Sequence, residues 1–207
     1  MSDPTRDRPK TLTDPLSPRW LERPDGYRNF ESAYFVGRGQ DTFDRCAEEL
    51  LHWEVKIRSG FDIEVSGQHE RWAGEHRSGK HETAFSEHSS GHREEWAGEH
   101  GSAPPRVAAG QEPTIRVRLG PFRLPEPSRV IDVFETTRRC GFTYATKPGH
   151  PITGEESFIL TRNPDDRVFL VLRSVSRAGS GIWRLGEPFV RLAQVIYRRR
   201  YGRALRI

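Results

Sequence analysis

A short stretch in the C-terminal half of the chain concentrates side chains that can do acid–base chemistry. His150 and Glu155 lie five positions apart, and Tyr144 precedes them. An imidazole or a carboxyl group inside a pocket can act as a general base, and a tyrosine hydroxyl can donate a hydrogen bond. The sequence therefore nominates His150, Glu155 and Tyr144 as candidate catalytic residues for proton transfer.

The same stretch also fits a purely structural interpretation. Residues 148–151 read Pro-Gly-His-Pro, which is the composition of a tight turn. The glutamates at 155 and 156 could cap backbone amides or pair with arginines. Because neighbouring residues of a strand point to opposite faces, at most one of Glu155 and Glu156 can enter a concave cavity. Catalysis and turn structure both stay open on this evidence.

Other kinds of chemistry have no support in the sequence. There is no P-loop, no complete GxGxxG and no Ser-His-Asp signature, so no cofactor is predicted. Cys46 and Cys140 stand in apolar segments without the spacing of metal ligands, which predicts buried free thiols and no metal site.

Composition limits the cellular setting and the classes of partner. The 207 residues are 34% hydrophobic and 30% charged, and the net charge of +4 gives little support to nucleic-acid binding. The longest apolar run, Val168 to Leu172, is far shorter than a membrane span. The charged start MSDPTRDRPK has no apolar stretch typical of a secretory signal. These features predict a cytoplasmic protein without a membrane span.

Two segments are predicted to lie outside the folded core. Residues 1–26 contain five prolines and few apolar groups, which predicts a disordered tail before a single domain at 27–207. Residues 69–104 divide into three units of twelve, HERWAGEHRSGK, HETAFSEHSSGH and REEWAGEHGSAP, within an insertion at 67–105. This repeat fits a polar surface loop, a small ordered structure that contacts a protein partner, or metal binding by its Glu-His pairs.

The remaining chain has the periodicity of a mixed domain. A short strand at 32–36 precedes a helix with apolar residues at Phe43, Cys46, Ala47, Leu50 and Leu51. Alternation at Trp53, Val55 and Ile57 predicts a strand, and further strands follow between 63 and 175, with a hairpin turn at 163–166. A long helix is predicted from Trp183 to Leu205, with Phe189, Leu192 and Ile196 facing inward. This order predicts an α+β fold in which a curved antiparallel sheet packs on the C-terminal helix.

The C-terminal helix is also strongly basic. Six arginines and no acidic residue stand between positions 191 and 207. Arg184, Arg191 and Arg198 recur every seven residues, which predicts a solvated stripe. Nucleic-acid binding is disfavoured because no recognition motif accompanies the stripe. An acidic partner or an anionic ligand group is the milder alternative, and Arg200 and Tyr201 are candidates for the mouth of a cavity.

Two motifs resemble a known family. GFTYATKPGHPITGEESF at 141–158 and RRYGRAL at 199–205 closely resemble the segments GF-x-Y-x-T-x-PGHP-x-x-GEE-x-F and RRY-x-RAL of a bacterial and plant family catalogued as a domain of unknown function. The resemblance covers about 27–66 and 105–207, whereas the repeat departs from it. The element order is similar to the START-like helix-grip fold, although other α+β sandwiches share it. The resemblance implies no particular activity.

The fold suggests a function in ligand binding. A sheet curved around a helix can enclose a cavity for a small hydrophobic or amphipathic molecule. Plain core packing is the alternative for the aromatic candidates. An enzyme of cyclase or isomerase type using His150 and Glu155, or an interaction module acting through the repeat, are the other hypotheses. The candidate ligand-binding residues are Trp53, Phe134, Phe142, Tyr144, Phe158, Phe169, Arg200 and Tyr201.

Overall fold

The computed structural model describes residues 9–65, 105–119, 122–150, 152–178 and 187–205. The repeat at 69–104 lies outside these ranges, so its role as an insertion stays a prediction. The elements are β1 (Arg28–Arg38), α1 (Gln40–Leu51), α2 (Glu54–Ile57), β2 (Phe61–Val65), β3 (Pro113–Leu119), β4 (Phe122–Glu135), β5 (Arg139–Thr146), β6 (Ile152–Arg162), β7 (Arg167–Ala178) and α3 (Glu187–Ala204).

The strands form one antiparallel sheet in the order β1-β7-β6-β5-β4-β3-β2. Strands β2 to β7 pair with their sequence neighbours, while β1 pairs with the last strand, β7. Register shifts at Val130/Asp132 and Phe35/Gly37 bend the sheet locally. The predicted hairpin turn is confirmed, since the Arg167 amide donates to the side chain of Asn163. The structure thus confirms the α+β class.

The main core lies on the face of the sheet that is turned toward α1 and α3, here called the inner face. Alternate residues of β6 and β7 enter it, and α1 covers them with the apolar side predicted from its periodicity. Cys46 and Cys140 are buried free thiols, as predicted. The core side chains from these elements are Phe43, Cys46, Leu50, Leu51, Phe158, Leu160, Val168, Leu170 and Leu172.

Residues 53–57 do not form the predicted strand. Trp53 has a left-handed backbone conformation with φ 64°, and the next four residues make the single helical turn α2. Tertiary contacts decide this local structure, because α2 packs between β2 and α3. The turn sends Lys56 into the protein, where only 1% of the residue stays exposed.

The C-terminal helix contacts β1 and α2. Gly202 allows the close approach, since a Cβ at this position would lie 2.4 Å from the Tyr34 ring. Tyr197 and Tyr201 face inward, whereas Ile196 is 42% exposed, so the prediction that Ile196 faces inward is wrong. From Val195 onward the buried side of the helix lies one position, about 100° of rotation, away from the predicted one, and the side chains of Phe189 and Leu192 lie outside the described part of the chain. None of the helices within the described ranges is long and apolar enough to cross a membrane.

Residues 9–26 pack on the opposite, outer face of the sheet, so the prediction of a disordered tail is wrong for this segment. Thr13 and Trp20 are buried, and the Trp20 indole donates to a carbonyl eight residues earlier. Arg139 and Arg173 reach out from β5 and β7 and donate to backbone carbonyls of the segment. These charge-assisted hydrogen bonds stabilise a segment that has too few apolar groups to fold by burial alone.

Trp20→Ala tests this packing. Removing a buried indole is expected to lower the free energy of unfolding by about 3–5 kcal/mol in urea. Leu21→Ala is the matched control, because Leu21 is 81% exposed and its truncation should change stability by less than about 0.5 kcal/mol. Equal urea midpoints for the two variants would contradict the packed position of residues 9–26.

Candidate functional site

The inner face changes from apolar to polar along its strands. Leu172, Phe158 and Phe142 stand opposite one another on β7, β6 and β5. The next inward row, two residues further along each strand, consists of Ser174, Glu156 and Tyr144. Polar side chains in the interior need partners, because an unpaired buried polar group is costly. The second row therefore marks the candidate site.

Lys56 supplies the centre of this site. Its ammonium donates hydrogen bonds to the Tyr144 hydroxyl at 2.5 Å, to the Tyr201 hydroxyl at 2.7 Å and to Glu156 Oε2 at 3.0 Å. All three N–H groups of the ammonium are thus engaged. The four residues Lys56, Tyr144, Glu156 and Tyr201, here called the Lys56 cluster, join α2, β5, β6 and α3.

Aromatic rings enclose the same ammonium. The Lys56 Nζ lies 4.5 Å from the centroid of Phe61, 4.8 Å from Tyr144, 4.9 Å from Tyr201 and 5.2 Å from Phe158. At these distances the electron-rich ring faces attract a cation. The rings and the Glu156 carboxylate together replace the water that a lysine would otherwise bind.

The protonation of the Lys56 cluster follows from its surroundings. Burial by itself would raise the pKa of Glu156, but the Lys56 charge and hydrogen bonds from Lys56 and Tyr144 outweigh burial and lower this pKa. Burial, and then the nearby carboxylates, raise the pKa values of Tyr144 and Tyr201 well above the usual range. At neutral pH the cluster therefore holds an ion pair and two neutral phenols.

Glu126 of β4 and His150 extend the site. The Ile152 amide donates to His150 Nδ1 at 3.1 Å, which places the proton of a neutral imidazole on Nε2. His150 Nε2 lies 3.8 Å from Glu126 Oε2. Burial, helped by the Lys56 charge, lowers the pKa of His150 to about 4. Burial raises the pKa of Glu126 to about 7 although Lys56 opposes the shift.

Among the predicted catalytic residues, Tyr144 and His150 lie at the site and Glu155 does not. Glu155 lies on the outer face, where its carboxylate accepts the Leu12 amide hydrogen at 2.7 Å. The alternation of β6 explains the difference, because Phe158 faces inward and Glu156 shares its side. The prediction that only one of the two glutamates can enter the interior is confirmed, with Glu156 as that residue.

Three of the predicted ligand-binding aromatic residues pack against each other in the core. Trp53, Phe142 and Phe158 are fully buried. The ring centroids of Trp53 and Phe142 are 4.9 Å apart, and those of Phe142 and Phe158 are 5.4 Å apart. Phe158 and Tyr201 also pack edge to face, so this group of packed rings adjoins the Lys56 cluster.

The other predicted ligand-binding residues lie in three different parts of the structure. Tyr201 belongs to the Lys56 cluster, whereas Arg200 is exposed and donates to the Ser59 carbonyl at 3.2 Å. Phe134 and Phe169 lie on the outer face. A Cβ built at Gly141 would lie 3.0 Å from the Phe134 ring, and Phe169 packs edge-on against Phe35. These two rings therefore belong to the packing of the outer face.

Sequence reasoning missed Lys56 and Glu126, and it left open which of Glu155 and Glu156 faces inward. The strand face could have decided between them, since Glu156 lies two residues before the apolar Phe158. The strand predicted through 53–57 gave no reason to nominate Lys56. In such a strand Lys56 would lie on the same side as Glu54 and face solvent. Glu126 lies between two prolines and has no periodic signal of its own.

Lys56→Met tests the central ion pair. This change leaves the Glu156 carboxylate buried without its cation and is expected to lower the free energy of unfolding by about 3–5 kcal/mol. The double variant Lys56→Met/Glu156→Gln should recover part of this loss. Lys147→Met is the matched control, because Lys147 pairs with Glu112 at the surface, where water screens an ion pair and its contribution to stability is small. Equal losses in urea for the two methionine variants would contradict this account.

Comparison with known proteins agrees with the motifs. A family described as Domain of unknown function (DUF1990) matches residues 12–79 and 83–204. A UPF0548 protein of Deinococcus radiodurans is 38% identical over 78 residues, which are 38% of this chain and 39% of that relative. The alignment thus spans about two-fifths of the relative's length.

Two solved structures are similar in shape at low sequence identity. The hypothetical protein jhp0584 from Helicobacter pylori has a TM-score of 0.51 at 10% identity, with 90% of this chain and 92% of that chain covered. Ara h 8.0201 has a TM-score of 0.43 at 10% identity, with 87% and 99% covered. The first likeness concerns the fold alone. Since the family match covers most of the described residues and both motifs, the chain belongs to the DUF1990 family.

Proposed function

We propose that the protein binds a small amphipathic molecule between the inner face of the sheet and α3, with the polar end of the molecule at the Lys56 cluster. The observation that carries this proposal is the Lys56 ammonium, which is 1% exposed. A buried ion pair adds little stability compared with apolar side chains of similar volume. Its presence in an otherwise apolar interior is therefore better explained by a binding role than by stability.

Two carboxylates of the site remain accessible to a ligand. The side chains of Glu126 and Glu156 are each 20% exposed, whereas Lys56 lies behind them at 1%. Since the hydrogens of Lys56 are already engaged, a ligand would meet carboxylate oxygens first. A hydroxyl or amine group is the complementary partner for such oxygens.

The packing of the aromatic residues narrows the class of ligand. Trp53 and Phe142 fill the core and leave no role as walls for a long hydrocarbon chain. The rings near these two partly exposed carboxylates are those of Phe61, Tyr197 and Tyr201, and the centroids of Phe61 and Tyr197 are 4.4 Å apart. A compact molecule with one flat apolar part and a hydrogen-bonding end fits this arrangement better than a fatty chain.

Native mass spectrometry of the purified protein tests the proposal. We expect a retained small molecule on the wild type, and roughly tenfold weaker retention by Tyr201→Phe, which removes one hydroxyl from the Lys56 cluster. Tyr27→Phe is the matched control, because the Tyr27 ring lies beneath Arg177, outside the cluster. A wild-type protein without a bound molecule, or equal retention by both variants, would argue against binding at this site.

A second candidate function is proton transfer by Glu126, in an enzyme of cyclase or isomerase type. Glu155 cannot serve, since it lies on the outer face, but Glu126 lies beside His150 on the inner one. The observation that favours this candidate is the pKa of Glu126, raised to about 7 by burial. A carboxyl group with such a pKa can accept and release a proton at neutral pH.

The pH dependence of stability tests the environment of Glu126. The pKa of Glu126 is raised from 4.5 to about 7 in the folded protein, so ionising it costs the wild type stability as the pH rises between these values. Glu126→Gln removes that cost. Its free energy of unfolding, minus that of the wild type, should therefore rise by about 3 kcal/mol over this range.

His150→Asn is the control, because its stability relative to the wild type is expected to change with pH in the opposite direction. The pKa of His150 is lowered from 6.5 to about 4, so the wild type gains stability from this group as the pH rises between those values. The difference between His150→Asn and the wild type should fall over that range. Urea unfolding between pH 4 and pH 8 measures both differences. A flat profile for Glu126→Gln would remove the basis of the proton-transfer function.

A further inference from the structure

The polar part of the inner face continues to the strand pair β1–β7. Ser174 and Ser176 are 6% and 3% exposed. The Ser174 Oγ accepts a hydrogen bond from Arg198 of α3 at 3.1 Å. The Ser176 Oγ is buried and has no hydrogen-bond partner among the residues that the structure describes. A buried hydroxyl without a partner destabilises the fold, and an acceptor atom of a ligand would satisfy it.

Arg198 of α3 contacts this polar part of the inner face at Ser174 and has further hydrogen-bond donors. Its guanidinium covers the Phe30 ring at 3.7 Å and is only partly exposed, so the predicted solvated stripe does not hold at this position. Within the described ranges no ion pair joins this guanidinium to a carboxylate, since Glu156, which acts on Arg198 from a longer distance, pairs with Lys56. Ser174 takes one of its five donors, and no other residue in the described ranges accepts a hydrogen bond from the remaining four.

The electrostatic surroundings favour an anion at this place. Burial lowers the pKa of Arg198 although Glu156 opposes the shift, and the neighbouring guanidinium of Arg28 lowers it further. Arg28 stands opposite Ser176 in the pairing of β1 with β7. Burial and a neighbouring cation both disfavour the charge of Arg198, so an anion that binds to this guanidinium beside the buried hydroxyls is stabilising.

We propose that Arg198, Ser174 and Ser176 form a subsite for an oxyanion, a carboxylate or a phosphate group of the ligand. This inference deepens the proposed function. It rests on that function for the rest of the ligand, which is the part outside the anionic group. Glu156 of the Lys56 cluster stands directly opposite Ser174, so one small molecule reaches both places. The ligand is then an acid, with its anionic group at Arg198 and a hydroxyl or amine group at the carboxylates of Glu156 and Glu126.

Anion titrations of the full chain test the subsite. Inorganic phosphate and acetate are added separately at constant ionic strength, with chloride as the balancing salt, and the amide signals of Ser174 and Ser176 are followed by NMR. We expect saturable shifts with at least one of the two anions, and the tighter of them identifies the ligand's acidic group as phosphate or carboxylate. The absence of saturation with both anions would overturn the proposal.

Two variants separate a built site from general attraction to positive charge. Arg198→Gln and Ser176→Ala should each lower the affinity for the anion by roughly tenfold. Arg203→Gln is the matched control, since Arg203 is exposed on the same helix and carries the same charge. If Arg203→Gln lowers the affinity for the anion as much as Arg198→Gln does, the proposal is overturned.

The Ser176→Ala variant also guards against a folding artefact. It removes a hydroxyl that lacks a partner, so its melting temperature should equal or exceed that of the wild type while its anion affinity falls. The readouts distinguish the two proposals, because native mass spectrometry reports the retained natural ligand and the NMR titration reports phosphate or acetate alone. If anion binding depends on Ser176 but the purified protein retains no small molecule, the result supports the subsite. In that case only the proposed function is contradicted.

Discussion

The buried ammonium of Lys56 constrains the positions of four separate elements. An interior cation needs acceptors for all of its hydrogens, and the acceptors come from β5, β6 and α3. The C-terminal helix must therefore lie where the Tyr201 hydroxyl reaches Lys56, and the single turn α2 must direct Lys56 inward. The close contact at Gly202 makes this placement of the helix possible.

Strand β6 links the two faces of the sheet. Glu156 points inward to Lys56, while its neighbour Glu155 points outward and binds the amide of Leu12. A chain of buried hydroxyls adds to the outer contact, with Ser157 2.6 Å from both Thr13 and Thr143. Because one strand carries both sets of bonds, the segment at 9–26 helps to fix the strand that carries the acidic side of the site.

Charge alternates across the polar part of the inner face. From the β7 side to the β4 side, the charged groups are Arg198, Glu156, Lys56 and Glu126, and the rings of Phe158 and Tyr201 lie beside Lys56. Such a row neutralises itself in the interior and still presents oxygens and a guanidinium at separate places. The ligand that we propose is small, polar at two points and flat between them, and it is thus the amphipathic one of the two kinds, hydrophobic or amphipathic, that the sequence suggested.

The sequence by itself determined the family, the α+β class, helix α1, the hairpin at 163–166 and the buried thiols, because these depend on local periodicity, turn chemistry or contiguous motifs. It also placed Tyr144 and His150 near the site. Only the tertiary structure decided that 53–57 is a helical turn, that Glu156 rather than Glu155 faces inward, and that residues 9–26 pack on the sheet. Lys56 meets Tyr144 and Tyr201 across 88 and 145 residues of chain, and contacts of such separation leave no periodic pattern in the sequence.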